Sequence, residues 1–331
     1  MQAFAINNYT EPLHLTTVAE PTLGDHDVLV DVKAASVNQL DLKIAQGAFK
    51  SLLEYELPLT LGHDLAGVVL AVGDKVTRFT AGDRVYGRPR DGRIGTFAER
   101  IAVAAEELAL APTSIGFEEA ASLPLVALTS WQALVELGNV QPGQKVLIHA
   151  GTGGVGSIAI QLAKHLGATV ATTASATNAD LARELGADIV IDYRSEKFAE
   201  QLSGFDLVLD GVGEANVLQS IRTLLPGGRA IGIAGPPTPE FARSIGANVL
   251  VRTALTAVSA KVRKRAKKHA VQYDFLWMRA DGAALAQIAE LVDAGAIRPL
   301  VAEVFPFEET PTAVDALARG GRPGKIVTRR D

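Results

Sequence analysis

The spacing of apolar residues changes partway along the chain. In the first part they alternate or run in short blocks, as in Val28-Leu-Val-Asp-Val-Lys-Ala-Ala, Leu65-Ala-Gly-Val-Val-Leu-Ala-Val-Gly and Arg84-Val-Tyr-Gly. Blocks of this kind, cut by Gly-Asp pairs and prolines, predict strands joined by turns. The stretch from Met1 to Ser122 is therefore expected to form a β-rich, barrel-like domain, with Met1–Tyr9 as an edge strand. From Phe117 to Leu137 the period lengthens: Ala120, Leu123, Leu128, Trp131, Leu134 and Leu137 recur at helical spacing, and Pro124 marks a break or kink. Such a helix can bridge two domains.

After Gly138 strands and helices alternate. Strands are expected near 145–150, 168–174, 188–192, 205–210 and 228–234, with helices starting near 156, 178, 196 and 214. This βαβ rhythm predicts a doubly wound parallel sheet with right-handed crossovers. The rhythm loosens from Phe241, where Lys261-Val-Arg-Lys-Arg-Ala-Lys-Lys precedes a strand-like Tyr273–Met278. A helix over Gly282–Ala294, ended by Gly295, leads into mixed structure through Lys325.

The most informative turn joins the apolar run Val146-Leu147-Ile148 to a helical pattern through Ile158, Leu162, Ala163 and Leu166. Between them lies Gly151-Thr152-Gly153-Gly154-Val155-Gly156, a glycine pattern that suits a dinucleotide. One glycine permits the tight turn, one lets a pyrophosphate approach the backbone, and one lets helix and strand pack closely. Amides at the helix N-terminus then face the phosphates. An NAD site places an acidic residue about 20 residues further on, to hold the ribose diol. Here the second strand ends Ala174-Ser175-Ala-Thr-Asn178. Ser175 and Asn178 can donate to a 2′-phosphate that a carboxylate would repel, so NADPH is the expected cofactor. Helix capping is the structural alternative for both residues.

Composition narrows the partners. The net charge of −5 argues against a general nucleic-acid binder. Cysteine is absent, which removes disulfides, thiolate nucleophiles and Cys-ligated zinc. No apolar run is long enough to span a membrane, and the N-terminus lacks an export pattern, so a cytoplasmic protein is expected. Lys261, Lys264, Arg265 and Lys268 share one helical face, with Arg263 and Lys267 beside it. This cluster is either a solvated face or a patch for RNA, anionic lipid or an acidic partner.

Several stretches resemble the medium-chain dehydrogenase/reductase superfamily, in its zinc-independent branch of NADPH:quinone oxidoreductase-like proteins. They are Ser36-Val-Asn-Gln-Leu-Asp-Leu-Lys, Leu61-Gly-His-Asp-Leu-Ala-Gly-Val-Val, Ala81-Gly-Asp-Arg-Val-Tyr-Gly, Gly95-Thr-Phe-Ala-Glu and Leu123-Pro-Leu-Val-Ala-Leu-Thr-Ser-Trp. Ala150-Gly-Thr-Gly-Gly-Val-Gly, Leu185-Gly-Ala-Asp, Ile191-Asp-Tyr and Gly324-Lys-Ile-Val continue the series. The resemblance implies an α/β protein in which a GroES-like β-rich catalytic domain (1–122, completed by 279–331) holds a Rossmann domain (123–278). It also implies a homodimer.

On the same resemblance, Asn38 stands where zinc-dependent relatives carry a cysteine ligand, His63 aligns with their second ligand, and 126–129 offers no good third. A site of Asp41, His63 and Asp64 is the metal-binding alternative. Asn38, Asp41, Lys43 and His63 are the candidates on the substrate side, His63 being either a proton donor or a structural histidine. Tyr55 is a weaker proton donor. Thr129 resembles a nicotinamide-side residue and Tyr193 a residue that reaches the 2′-phosphate, with Arg194 available to compensate for the lysine some relatives have at Asn178. The expected activity is hydride transfer from NADPH to a quinone or another conjugated carbonyl. The alternatives are reduction of the carbon-carbon double bond of enals and enones, an NADPH-loaded protein that mainly binds RNA or a partner, and a metal-dependent alcohol dehydrogenase.

Overall fold

The structure, a computed structural model, describes residues 1–50, 52–53 and 55–331, and the chain divides into two units. One comprises Met1–Leu128 and Arg279–Asp331, the other Thr129–Met278.

In the first unit β1 (Gln2–Ile6) is the middle of three strands, between β2 (His14–Thr17) and β4 (Leu59–Thr60). The N-terminal segment is thus not the edge strand its position suggests. Phe4 and Ile6 are buried in the core, and strands on both sides satisfy the β1 backbone. The larger sheet is built on β3 (Asp27–Val37), which pairs with β5 (Asp64–Val72) and with β7 (Arg100–Ala104). β6 (Arg84–Gly87) and β8 (Leu108–Leu110) extend it beyond β5. Helix α1 (Gln39–Ala45) leaves the end of β3 directly. Two helices follow, α2 (Phe117–Ala121) and α3 (Pro124–Trp131), with the turn at Ser122 and Leu123 where the proline requires it. The division between units falls inside α3, a little past the expected Ser122, because the Leu125 amide is tied to Asp64 of β5.

The second unit is a single sheet with all neighbours parallel. Its strands are β9 (Lys145–Ile148), β10 (Thr169–Ala174), β11 (Ile189–Asp192), β12 (Phe205–Asp210), β13 (Leu224–Gly232) and β14 (Gln272–Phe275). They lie in the order β11-β10-β9-β12-β13-β14. The order reverses direction between β9 and β12, which is the switch point where doubly wound sheets bind ligands. Helices α4 (Gly154–His165), α5 (Ala179–Glu184), α6 (Phe198–Gln201) and α7 (Glu214–Ser220) make the crossovers. β9 is buried because Val146, Leu147 and Ile148 have sheet neighbours on both edges and layers on both faces.

Where the sequence rhythm loosens, three short helices stand: α8 (Pro239–Ser244), α9 (Val249–Val258) and α10 (Ala260–Lys268). On α10, Val262 and Ala266 face the core while Lys261, Lys264, Lys267 and Lys268 are exposed. Arg265 is partly buried, so the outward arc runs through Lys267 rather than Arg265. The chain then returns to the first unit through α11 (Gly282–Asp293), β15 (Val301–Pro306), α12 (Thr310–Arg319) and β16 (Lys325–Arg329). β16 closes onto β3, placing Ile326 beside Val37. Among the described residues no helix is long and apolar enough to cross a membrane.

Candidate functional site

Sheet register assembles the polar site of the first unit. Ser36 pairs with Asp64 across β3 and β5, and Ile326 pairs with Val37 across β16 and β3. The ends of three adjacent strands therefore bring Ser36, Asn38, Asp64 and Lys325 together, all buried. Asp64 is the acceptor at the centre. Its Oδ2 receives Ser36 Oγ at 2.6 Å, Asn38 Nδ2 at 2.9 Å and Lys325 Nζ at 3.4 Å, and its Oδ1 receives the Leu125 amide at 2.8 Å.

Lys325 Nζ also donates to Val37 O at 3.2 Å and to Asn38 Oδ1. Three acceptors match the three hydrogens of an ammonium, whereas a neutral amine has two. Burial lowers the Lys325 pKa, and the charges of Asp64 and Asp41 oppose that shift. Asn38 is fully used as well, since Nδ2 donates to both Asp64 and Ser36 O while Oδ1 accepts from Lys325.

A second buried pair adjoins this network. Asp41, on the first turn of α1, accepts the Asn38 amide at 2.8 Å through Oδ2 and faces His63 Nδ1 at 2.6 Å through Oδ1. A carboxylate oxygen accepts, so the contact puts the proton on Nδ1. Both side chains are sealed in, at 1% and 0% exposure, and among the described residues His63 Nε2 has no partner. Gly62 sets the histidine's approach with φ +106, and a Cβ there would come within 2.7 Å of the Phe97 amide nitrogen.

Asn38, Asp41 and His63 thus meet in one cluster. Lys43 is exposed on α1. The Tyr55 hydroxyl is buried without a partner among the described residues, and burial raises its pKa. Ser36 and Lys325 were not among the expected site residues, although both lie in family-like stretches. Only the register of β16 on β3 shows that Lys325 points into this cluster.

The donors do not fit a zinc ion. Catalytic zinc takes three protein ligands, and among the described residues no three His, Asp or Glu side chains group to hold a metal. A lysine ammonium already lies against Asp64, and Asp41 engages the Nδ1 of His63.

In the second unit the glycine turn has the geometry its sequence promises. Gly151 and Gly156 tolerate no side chain: a Cβ at 151 would meet Thr172 and Ile160, and one at 156 would meet the Ala150 backbone. Gly153 is the residue before α4, with φ −78 and ψ 175, and its amide donates to Ala150 O at 2.9 Å. The amides of Gly154, Val155 and Gly156 form the first turn of α4 and have no acceptor within the helix. Ser130 Oγ ties α3 to this turn through Val155 O at 3.3 Å, and Thr129 is buried next to it in sequence.

Past β10, Ser175 and Asn178 both stand at helix N-caps, yet neither side chain caps its helix. Ser175 Oγ pairs with Thr177 Oγ1 at 2.9 Å, and Asn178 Nδ2 reaches Thr152 Oγ1 of the glycine turn at 3.4 Å. Tyr193 is 56% exposed, with the Arg194 guanidinium over its ring. Asp192, which pairs with Ala174 across the sheet, is occupied by Ser195 Oγ and the Arg194 amide. These bonds hold its carboxyl below the usual range.

A six-stranded parallel sheet with a glycine cradle at its switch point, carried by a chain that begins and ends in a β-rich unit, defines a two-unit protein of the Rossmann and GroES-like class. Comparison with known proteins narrows it. The family profile described as "Alcohol dehydrogenase GroES-like domain" matches residues 24–113, and that described as "Zinc-binding dehydrogenase" matches 185–328. The chain is 35% identical to the mitochondrial NAD(P)H oxidoreductase RTN4IP1 of Mus musculus, over 96% of this chain and 84% of that protein. It is 31% identical to the chloroplastic NADPH-dependent alkenal/one oxidoreductase of Arabidopsis thaliana, over 99% and 79%. The solved quinone oxidoreductase of Coxiella burnetii superposes with a TM-score of 0.85 at 30% identity, covering 99% of each chain. The chain belongs to the medium-chain dehydrogenase/reductase superfamily.

Proposed function

We propose that this protein is a zinc-independent, NADPH-dependent reductase that passes hydride to quinones or other conjugated carbonyl acceptors. The observation that carries the cofactor choice is the state of Ser175 and Asn178. Asn178 Nδ2 gives one of its two hydrogens to Thr152 Oγ1 and keeps the other for a 2′-phosphate, and Ser175 Oγ can donate to that phosphate while accepting from Thr177 Oγ1. Between 174 and 178 no acidic residue stands to repel one. Tyr193, whose backbone amide donates to Ala174 O at 3.3 Å, adds a phenol, and Arg194 over its ring adds a cation.

When bound, NADPH supplies the hydride. The amides of Gly154, Val155 and Gly156 would hold its pyrophosphate, and the glycines leave room for that approach. Without a Lewis acid, charge developing on the acceptor oxygen has to be met by hydrogen bonds, which favours acceptors that spread the charge by conjugation. Asn38 and Asp41, whose polar atoms are engaged within the cluster, position that side, and Lys43 and His63 are its candidate donors. His63 is oriented by Asp41, and its Nε2 is the polar atom of the cluster without a partner among the described residues, hence the candidate for handling a proton. The similarity to an alkenal/one oxidoreductase supports a second acceptor class, in which hydride adds to the carbon-carbon double bond of an enone. Homodimerisation through the outer strands of the sheet, β11 and β14, is the assembly we favour.

The test is NADPH consumption by the purified protein against a panel of quinones and enones, with elemental analysis of the same sample. Acceptor-dependent oxidation that survives chelation supports the reading. Nucleotide binding without turnover on any acceptor would replace it with a binding role, and stoichiometric zinc with chelator-sensitive alcohol oxidation would replace it with a metal-dependent dehydrogenase.

A further inference from the structure

A buried histidine that the proposed reaction does not use lies directly before the glycine turn. His149 follows β9, and each ring nitrogen faces a hydroxyl: Nδ1 is 3.1 Å from Thr173 Oγ1 and Nε2 is 2.9 Å from Ser220 Oγ. Thr173 Oγ1 also accepts the Ala150 amide at 3.1 Å, so its own hydrogen is free to go to Nδ1. The remaining ring proton then sits on Nε2 and goes to Ser220 Oγ. Ser220 in turn donates to Asn216 O at 2.9 Å or to Asp210 Oδ2 at 3.3 Å. Every group in this chain accepts once and donates once, and only a neutral imidazole completes it.

The two ends of the chain are the two walls of the switch point. At one end Ala150 is a non-glycine residue in the left-handed region, φ 54, and its carbonyl receives the Gly153 amide that shapes the glycine turn. At the other end Asp210 closes β12, and its Oδ1 accepts the amides of Val212 and Gly213 at 2.9 and 3.1 Å. The left-handed alanine is costly unless its surroundings hold it. The Thr173 hydroxyl is the side-chain group that does so.

We propose that His149 is a positioning residue for the dinucleotide: through Thr173 and Ser220 it locks the turn after β9 to the turn after β12, so that the glycine amides stand ready before ligand arrives. Burial supports the neutral ring that this requires, pushing the His149 pKa down to about 4, against the opposing charge of Asp210. Asp210 is the charged group at its edge, and the other neighbours are Thr173, Ser220 and the Phe198 ring at 4.6 Å. The inference rests on the nucleotide reading of the glycine turn.

The experiment titrates NADPH by fluorescence into the full chain and measures kcat and KM for NADPH with a quinone, for wild type, Thr173→Val, Thr173→Ser, His149→Phe and Ser220→Ala. Loss of one hydrogen bond from the chain should raise the dissociation constant and KM about fivefold to tenfold while kcat at saturation stays within about twofold. Thr173→Ser, which keeps the hydroxyl, should bind as wild type does. Combining Thr173→Val with His149→Phe should cost no more than either alone, since both cut the same chain. Ser220→Ala keeps the test intact if a variant at 149 or 173 fails to fold. Wild-type binding with Thr173→Val and Ser220→Ala unchanged, even with lowered melting temperatures, would overturn the positioning role and leave the nucleotide reading standing. Wild-type protein that binds neither NADPH nor NADH would overturn both.

Discussion

Six consecutive residues, Gly151 to Gly156, form the glycine turn of the second unit, whereas the polar cluster of the first draws Ser36, Asn38, Asp41, His63, Asp64 and Lys325 from three separate stretches. The turn is specified by the absence of side chains, and its constraint is steric and local. The cluster is specified by charges and hydrogen bonds that exist only once β16, β3 and β5 are in register. The two should therefore fail in different ways. In the turn an added atom does the damage; in the cluster a removed partner does.

The largest effect is expected at the turn. In Gly156→Val the new Cβ would lie about 2.8 Å from the Ala150 carbonyl carbon, and backbone cannot move aside as a flexible side chain can. We expect loss of measurable NADPH binding by fluorescence titration and a stability cost of about 4 kcal/mol in urea unfolding. Wild-type affinity in this variant would mean that the turn does not hold the nucleotide.

Next comes the cluster. Lys325→Met leaves Asp64 with two neutral donors and an amide but no cation, fully buried. Removing one partner of a buried pair costs about 3 kcal/mol, because the other charge is stranded. The double variant Lys325→Met/Asp64→Asn removes both charges and should recover most of that loss, a coupling that urea unfolding of the three proteins measures directly. Additive losses would show that the ammonium and carboxylate do not depend on each other, and the contrast with the turn would weaken.

A third difference appears with pH. His149 meets hydroxyls on both ring nitrogens, and burial holds its pKa down to about 4. Its folded pKa lies below the unfolded one, so between the two the unfolded chain binds the extra proton. The contribution is complete above about pH 6.5 and is lost as pH falls toward 4. From pH 7 to pH 5 the wild type should lose about 2 kcal/mol through this group, a loss that His149→Gln should not show. Equal slopes in the two proteins would mean that the ring is protonated in the fold.

The same contrast decides what could be seen beforehand. The βαβ rhythm and the glycine turn were legible because a strand buried on both faces must be a short apolar run and a cradle must lack side chains. Each signal fits within a dozen residues. The cluster was legible only as types and family-like stretches: Asn38, Asp41 and His63 could be named, but a sequence carries no register, so nothing joined Lys325 to them. The central place of β1 in its sheet is hidden from the sequence for the same reason, since its neighbour β4 arrives from beyond residue 58. Helix α9 gave no helical signal of burial because none of its residues is buried. Val249 and Leu250 are 74% and 81% exposed, so no core imposes a period on them.

The smallest effect expected is also the finest test of how the second unit chooses its nucleotide. Asn178 sits where a capping role was the structural alternative, and its amide instead reaches Thr152 Oγ1. Asn178→Asp keeps the size and adds a charge at a position open enough to accept it. If the 2′-phosphate lies here, the carboxylate repels it and NADPH affinity should fall about tenfold, while NADH, which lacks that phosphate, should bind equally well or better. Aspartate is as good an N-cap as asparagine, so a purely capping role predicts no change in either nucleotide and an unchanged melting temperature. A parallel fall for NADH and NADPH would instead place Asn178 against a part that both molecules share, moving the phosphate site toward Tyr193 and Arg194.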